Sequence, residues 1–271
     1  MSDIVLSSGV RSNLLQLQQT SELITQTQTK LATGKRVNSA LDNPINFFTA
    51  QGLTVRANDL NSLLDTMTTG INTIQAANNG ITAITKLVQS AQSLVSQAQQ
   101  TTDTTVRATL AAQYDALRGQ IDQLSADSGI NGVNLLGNNN LTITLNETGS
   151  SNVVVSGFDD TTGGALALSA SSNSWASSTD ISAAAAELTT SLTTLRSQSQ
   201  ALSSNLQTVQ VRQDFTKAMI NTLNTGADGL TLADSNEEGA NLLALQTRQQ
   251  LSTTALSLAA QADQNVLKLF Q

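Results

Sequence analysis

Apolar residues recur along most of this chain at alternating spacings of three and four, the pattern of helices that pack along one stripe. In the first such stretch, Ile4 to Ala32, the residues Leu14, Leu17, Ile24 and Leu31 fall on a seven-residue seam whose other slots hold Ser21 and Gln28. So few aliphatics make a thin seam. The arm is therefore expected to be mobile in the free monomer and to order only against neighbouring chains. A longer helix reads from Pro44 to about Gln99, with Leu60, Leu64, Met67, Ile71, Ile74, Ile81, Ile84, Val88, Ala91, Val95 and Ala98 in its stripe and Asn78 as a polar intrusion. Its phase breaks once, between Ile81 and Ile84. Gly52, Gly70 and Gly80 each weaken that helix by roughly 1 kcal/mol relative to alanine, which points to another helix packed closely there. Asp103 is placed to cap a shorter return helix carrying Val106, Leu110, Tyr114, Leu117, Ile121 and Leu124, stopped by Asp127, Ser128 and Gly129.

The periodicity changes between Asn138 and Thr179. Leu141 to Leu145 alternates apolar and hydroxyl residues, and Val153 to Val155 follows a turn-prone segment, which predicts a hairpin, with a further short strand near Ala165 to Leu168. The Ser-rich remainder carries the sole tryptophan, Trp175, read as an anchor, and ends in Asp180, read as an N-cap. The heptad then resumes from Ile181 to about Leu223 through Leu188, Leu192, Leu195, Leu202, Leu206, Val209, Ile220 and Leu223. Its seam can face that of the second helix, so the chain is expected to fold back as a rod with both ends leaving from one side. Asn224 to Asn236 reads as an interruption, with Gly226 and Gly229 as breakers and Ser235 with Glu238 at capping-box spacing. The closing helix has two apolar stripes, Leu242, Leu245, Leu256, Ala259, Val266 and Phe270 on one face and Leu251, Ala255, Leu258, Ala262 and Leu269 on the other. Two such stripes require partners on both sides.

The expected fold class is mainly α: a long antiparallel, coiled-coil-like helical bundle with a small β-hairpin insert. Four segments follow from it: 1–43, a terminal helix and its connector; 44–178, containing the insert at 138–178; 179–227, the returning helix; and 228–271, the closing helix.

Composition removes most chemistry. The chain has 271 residues, 3% aromatics, 12% charged residues, one proline, and neither histidine nor cysteine. A net charge of -7 argues against nucleic acid, which selects basic faces. No run of about 18 apolar residues is present to span a bilayer, and the first residues lack the basic and apolar blocks of a cleaved signal peptide. Disulfides, the usual zinc ligands and Ser-His triads are unavailable. Gly34 with Lys35 lacks the glycine spacing and the hydroxyl residue of a phosphate loop. Asp159 and Asp160 read as solvated turn residues rather than a calcium site, and Arg56, Arg107, Arg118 and Arg212 as solvated or paired across helices. No catalytic, cofactor or metal site is nominated, and an enzyme is not expected.

Three stretches carry more specific information. Between the first two helices stands LATGKRVNSALDNPINFF, Leu31 to Phe48, which holds the proline. Gly34 suits the left-handed closure of a helix, Lys30, Lys35 and Arg36 complement the exposed carbonyls, and Asn43 with Pro44 reads as an N-cap and first helical residue. This stretch resembles the spoke segment of bacterial flagellins. GINGVNLLG, Gly129 to Gly137, is similar to the flagellin segment that leaves the third helix, and the ending AAQADQNVLKLFQ resembles the flagellin carboxyl terminus. The resemblance leaves out the 138–178 insert, which is short, so only the inner, filament-forming domains are expected. It implies that the N- and C-terminal helices pair as an inner coiled coil in a polymer, with Leu14, Leu17, Ile24, Leu31, Leu256, Ala259, Val266, Leu269 and Phe270 as assembly residues and Gly34, Asn38, Asp42 and Pro44 forming the spoke. It further implies an extracellular filament subunit exported unfolded through the flagellar type III channel. Its partners would be other flagellin subunits, an export chaperone, the filament cap and hook-associated proteins. The segment that vertebrate innate receptors read in some flagellins corresponds to Ser90, Gln92, Ser93, Leu94 and Gln97 within SAQSLVSQ, and without its arginines and glutamate weak or no activation is expected. The alternatives are a hook-filament junction protein or a non-assembling coiled-coil scaffold.

Overall fold

The apolar stripe of the second helix is uninterrupted enough to hold one α-helix of 57 residues, Pro44–Gln100. In the computed structural model, which describes residues 8–269, it is α2 in the order α1 Ser8–Thr33, α2, α3 Thr104–Asp127, β1 Leu141–Thr144, β2 Asn152–Val155, α4 Ser178–Thr231 and α5 Ser235–Leu269. The fold is a mainly α helical bundle with one small antiparallel sheet. Two compact units are formed, one from residues up to Val55 together with those from Thr222 onward, the other from Arg56 to Asn221.

In the second unit α2 and α4 run antiparallel. Ser199 donates to Asn78 at 2.8 Å and Gln213 to Thr68 at 2.9 Å, so each step toward the C-terminus on one helix is a step back on the other. The polar intrusion at Asn78 is thereby partnered. Met67, Ile74, Ile84 and Val88 of α2 and Leu188, Leu195, Leu202 and Val209 of α4 are buried in one core with Tyr114 and Ile121 of α3. Asp103 caps α3 as its position suggests, its carboxylate accepting from the N–H groups of Thr105 at 2.8 Å and Val106 at 3.4 Å. Arg107, expected to be solvated or paired, is instead buried on carbonyl oxygens where α2 ends and α4 begins: Ala98 at 3.2 Å, Thr101 at 2.8 Å and Ala176 at 3.2 Å, with Ser178 Oγ at 3.5 Å. A helix C-terminus presents unpaired carbonyls and a negative dipole end, and the guanidinium fork answers both.

The hairpin pairs β1 with β2 antiparallel, Leu141 opposite Val155 and Thr144 opposite Asn152. Its inward residues, Ile143 and Val155, join the core. Two of the α2 glycines make room for close neighbours, Gly70 for the hairpin and Gly80 for the cap of α3 and the loop after it. A Cβ on Gly70 would stand 2.5 Å from Ile143 Cδ1, and one on Gly80 would stand 2.3 Å from Ser128 Oγ and 2.7 Å from Leu136 Cδ1. Gly52 faces open space. The strand expected at Ala165 to Leu168 does not form. Ala167 takes φ 45°, a left-handed conformation that breaks the extended backbone a ladder needs, while Leu166 and Leu168 on either side of it are both buried. Trp175 is fully buried, its ring 5.1 Å from that of Tyr114, and three successive left-handed residues, Asn173, Ser174 and Trp175, turn it inward. The tyrosine hydroxyl donates to Ser169 O at 3.2 Å, and burial, with Glu187 adding to it, pushes its pKa up to about 12.

Three boundaries differ from expectation. The α4 cap is Ser177, whose hydroxyl accepts from Thr179 N–H at 3.2 Å, while Asp180 sits in the first turn, where a carboxylate still favours the dipole. At the other end α4 continues through Gly226 and Gly229 to Thr231. Two glycines cost about 2 kcal/mol in helix propensity, which packing overrides. The α5 cap is Asp234 rather than Ser235, with Asn236 N–H donating at 2.8 Å, leaving Glu238 free for Lys30 of α1 at 3.1 Å.

Along all the long helices, threonine and serine hydroxyls turn back onto their own backbone. Thr25, Thr29, Thr54, Thr68, Thr82, Thr189 and Thr208 each donate to the carbonyl four residues earlier.

Candidate functional site

With no His or Cys and no group of three potential metal-ligating side chains among the described residues, the places to look for function are surfaces. No described helix is long and apolar enough to cross a membrane. Attention falls on the first unit, where α1 packs on α5 and the 34–43 connector joins α1 to α2.

The connector is held by backbone groups. Gly34, at φ 67°, ends α1 and accepts at its carbonyl from Ala233 N–H at 3.0 Å. Arg36 and Val37 N–H groups donate to Thr231 O at 2.8 and 3.3 Å, and the Arg36 guanidinium donates to Gly229 O at 3.1 Å. The connector thus supplies donors to the last carbonyls of α4, which are otherwise orphaned. Asp42 closes a tight turn by accepting from the Ser39 and Asn38 N–H groups, both at 2.9 Å, and the Ser39 hydroxyl at 3.2 Å. Those backbone donors, Ser39 first and then Asn38, hold its carboxyl below the usual carboxylate range. Asn38 Nδ2 donates to Lys35 O at 3.0 Å. Asn43 then caps α2, accepting from Asn46 N–H at 3.0 Å, with Pro44 as the first helical residue. A cleft of roughly 560 Å³ opens beside this turn, lined by Thr29, Lys30, Arg36, Asn38, Leu41 and Asp42.

Half of the α1 seam lies where the sequence places it, at Leu17, Ile24 and Leu31, and half is displaced by one position, Thr20 and Thr27 taking the slots read at Ser21 and Gln28. Its buried residues are Val10, Thr20, Ile24 and Thr27, with Leu17 and Leu31 half-buried, while Leu14, Ser21 and Gln28 are exposed. Threonine makes this possible because its methyl can face a partner while Thr20 Oγ1 donates back to Gln16 O at 2.8 Å. Leu14 is thereby left off the seam at 38% exposure, and Leu15 and Leu23, which were never on it, are 57% and 45% exposed. On α5 the residues Leu242, Leu245, Leu256 and Ala259 are half-buried along one face. The other stripe is uncovered: Leu251 and Leu258 are 67% and 62% exposed, with Ala255 and Ala262 exposed between and beyond them. The side chains of Val266 and Leu269 and all of Phe270 lie outside the described residues.

Ile24 is buried and Leu17, Leu31, Leu256 and Ala259 are half-buried on the α1 and α5 helices that pack on each other, while Leu14 is exposed. Gly34, Asn38, Asp42 and Pro44 assemble in the connector. Sequence reasoning passed over Leu15, Leu23, Leu243, Leu41, Ile45 and Phe48, all exposed apolar side chains in the first unit. Their signal was an apolar residue off the helical seam, which a single-stripe reading treats as incidental. On α2, Ser90, Ser93 and Gln97 are exposed and Gln92 and Leu94 half-buried, with Ser90 and Ser93 hydroxyls donating to Lys86 O and Gln89 O at 3.0 and 3.1 Å. That face offers no charge between Lys86 and Asp103.

Known proteins are similar to this chain in sequence, some of them along its whole length. The family model for the bacterial flagellin N-terminal helical region matches residues 8–141. Flagellin FljN of Caulobacter vibrioides is 30% identical over 278 residues, covering 100% of this chain and 99% of that protein. Flagellin FljM of the same organism is 29% identical over 274 residues with the same coverage. Flagellin A of Rhizobium meliloti is 40% identical over 80 residues, 30% of this chain and 20% of that longer one. Short like the Caulobacter proteins and matching them from end to end, the chain belongs to the bacterial flagellins.

Proposed function

We propose that this flagellin polymerises into the flagellar filament by laying the uncovered stripe of α5, together with the outward leucines of α1, against copies of itself. The observation that carries this reading is the contrast between the two faces of α5. One face is covered by α1, and the other leaves Leu251 and Leu258 in water. Fully burying a leucine is worth about 1.5 to 3 kcal/mol, so a row of them repeated at every subunit contact is a substantial drive to assemble. The exposed Leu14, Leu15 and Leu23 supply the complementary surface, and Leu17, Ile24, Leu31, Leu256 and Ala259 hold the pair of helices that presents both. The connector residues Gly34, Asn38, Asp42 and Pro44 fix how that pair leaves the chain that carries it.

The role is structural rather than enzymatic. Delivery unfolded through the flagellar export channel fits terminal helices with little core of their own, and an export chaperone, the filament cap and hook-associated proteins are partners of the same helices on this reading. Replacing Leu251 and Leu258 together by glutamate tests it. Seeded polymerisation followed by electron microscopy is expected to give no filaments, while circular dichroism retains the helix content of the monomer. Filaments of normal length and number from that variant would end the proposal.

A further inference from the structure

We propose that Asp160 is held as the neutral acid in the docked insert and shares its proton with Gln198, so that rising pH loosens the insert from α4. The sequence places Asp159 and Asp160 side by side in a Gly and Thr loop, where both read as solvated. They part company in the structure. Asp159 is exposed and accepts from the Thr161 hydroxyl at 2.7 Å, an ordinary turn contact. Asp160 is fully buried, its backbone N–H donating to Leu136 O at 3.0 Å.

The side-chain partner of Asp160 is the amide of Gln198, itself buried on α4, whose Nε2 donates to Oδ1 at 2.7 Å. Two atoms are then left without a hydrogen bond, Asp160 Oδ2 and Gln198 Oε1. With an ionised carboxylate both are acceptors, and a buried pair of acceptors with no donor is the costly arrangement. A single proton on Oδ2, donated to Oε1, removes both deficits. A carboxylic acid and a carboxamide each carry one donor and one acceptor on one edge, so they close a two-bond ring that a carboxylate cannot.

No cation stands in for that proton. Among the described residues Asp160 has no ion pair. From α3, Arg118 is engaged with Leu168 O at 2.9 Å and Thr162 Oγ1 at 3.3 Å, and Asp122 accepts from Thr162 N–H at 2.7 Å. Along α4 the nearest charges in sequence are Glu187 and the exposed Arg196, and α2 has none between Asp65 and Lys86. Asp159 adds a like charge. Burial first, and Asp159 after it, push the Asp160 carboxyl up to about 6 against the Gln198 hydrogen bond.

The sign follows from linkage. The folded pKa lies above the unfolded value of 3.8, so docking binds a proton between the two. The stabilisation is complete below 3.8, falls as pH rises through about 6, and is absent above. A difference of about two units weakens the docking equilibrium about 100-fold across that window.

Trp175, the sole tryptophan and buried in the insert, reports the transition. Urea unfolding of the full chain followed by its fluorescence, at pH 4 and pH 7.5, is expected to show that 100-fold loss. In Asp160→Asn, which carries a donor and an acceptor like the neutral acid, the loss should disappear and stability at pH 7.5 should equal or exceed that of the parent chain. A variant that is weaker at pH 7.5 and keeps the pH slope would overturn the proposal, since it would mean that the charged form is the one the fold requires. Should Asp160→Asn not fold, carboxyl carbon-13 titration of the unaltered chain decides: a midpoint near 6 supports the clasp, and one at or below 4 refutes it.

Discussion

Replacing Gly80 by alanine in α2 sets two known effects against each other at one atom. Helix propensity favours alanine by about 1 kcal/mol in a helix interior. Yet the added methyl would lie 2.3 Å from Ser128 Oγ and 2.7 Å from Leu136 Cδ1. Neither neighbour is free to withdraw. Ser128 caps α3, its hydroxyl donating to Leu124 O at 2.6 Å, and Leu136 is fully buried. Forcing one methylene into a filled site costs about 1 to 3 kcal/mol, so the net change is a loss of up to about 2 kcal/mol. Gly119→Ala in α3 is the matched control, because nothing lies within 4 Å of its added methyl, and it should gain about 1 kcal/mol. The two variants should then differ by roughly 1 to 3 kcal/mol, or about 2 to 12 °C in midpoint for a unit of this size. Thermal unfolding monitored through Trp175 measures the difference directly, since both sites lie in its unit. Equal gains from both substitutions would show that the contact at Gly80 does not constrain the fold, and the account of why α2 carries glycine would fail.

Arg107→Met keeps the unbranched apolar stem and removes every donor to Ala98, Thr101 and Ala176, so a loss of about 3 kcal/mol is expected in urea unfolding, with Arg107→Lys intermediate. A loss below about 0.5 kcal/mol would mean that water replaces the guanidinium freely. In the connector, the Asp42 carboxyl has a lowered folded pKa, so its contribution is present above the unfolded value of 3.8 and is lost as pH falls through the folded one. Amide exchange at Asn38 and Ser39 should accelerate on acidification below pH 4 beyond the intrinsic trend, and Asp42→Asn should show that faster exchange already at neutral pH; unchanged protection in the variant would contradict the turn's dependence on the charge.

What could be read in advance depended on whether a residue's role was local. The stripes of α2 and α4 are long and regular, so their existence, direction and mutual facing were plain, as was the cap at Asp103. The register of α1 was not, because Thr20 and Thr27 count as polar in a pattern while their methyls bury and Thr20 returns its hydroxyl to the helix. Gly226 and Gly229 looked like breakers because propensity is a local quantity, whereas the end of α4 is set by Arg36 and Val37 capping Thr231 from far away in sequence. Asp160 and Arg107 were misjudged for the same reason: burial by Gln198, or by carbonyls from the end of α2 and the approach to α4, leaves no trace in neighbouring residues. Three consecutive left-handed residues ending in the buried tryptophan likewise follow from where the ring must go, not from the identities Asn173 and Ser174.

The back-bonded threonines bear on how copies of such a molecule can lie side by side. A hydroxyl whose hydrogen is already committed to its own helix offers a neighbour only an acceptor oxygen, as Thr68 does to Gln213, and brings no charge to neutralise. Two surfaces of that kind meet softly and part softly. Lateral packing between neighbours should therefore shift readily among slightly different offsets and respond weakly to salt, leaving the firm grip to the leucine stripes.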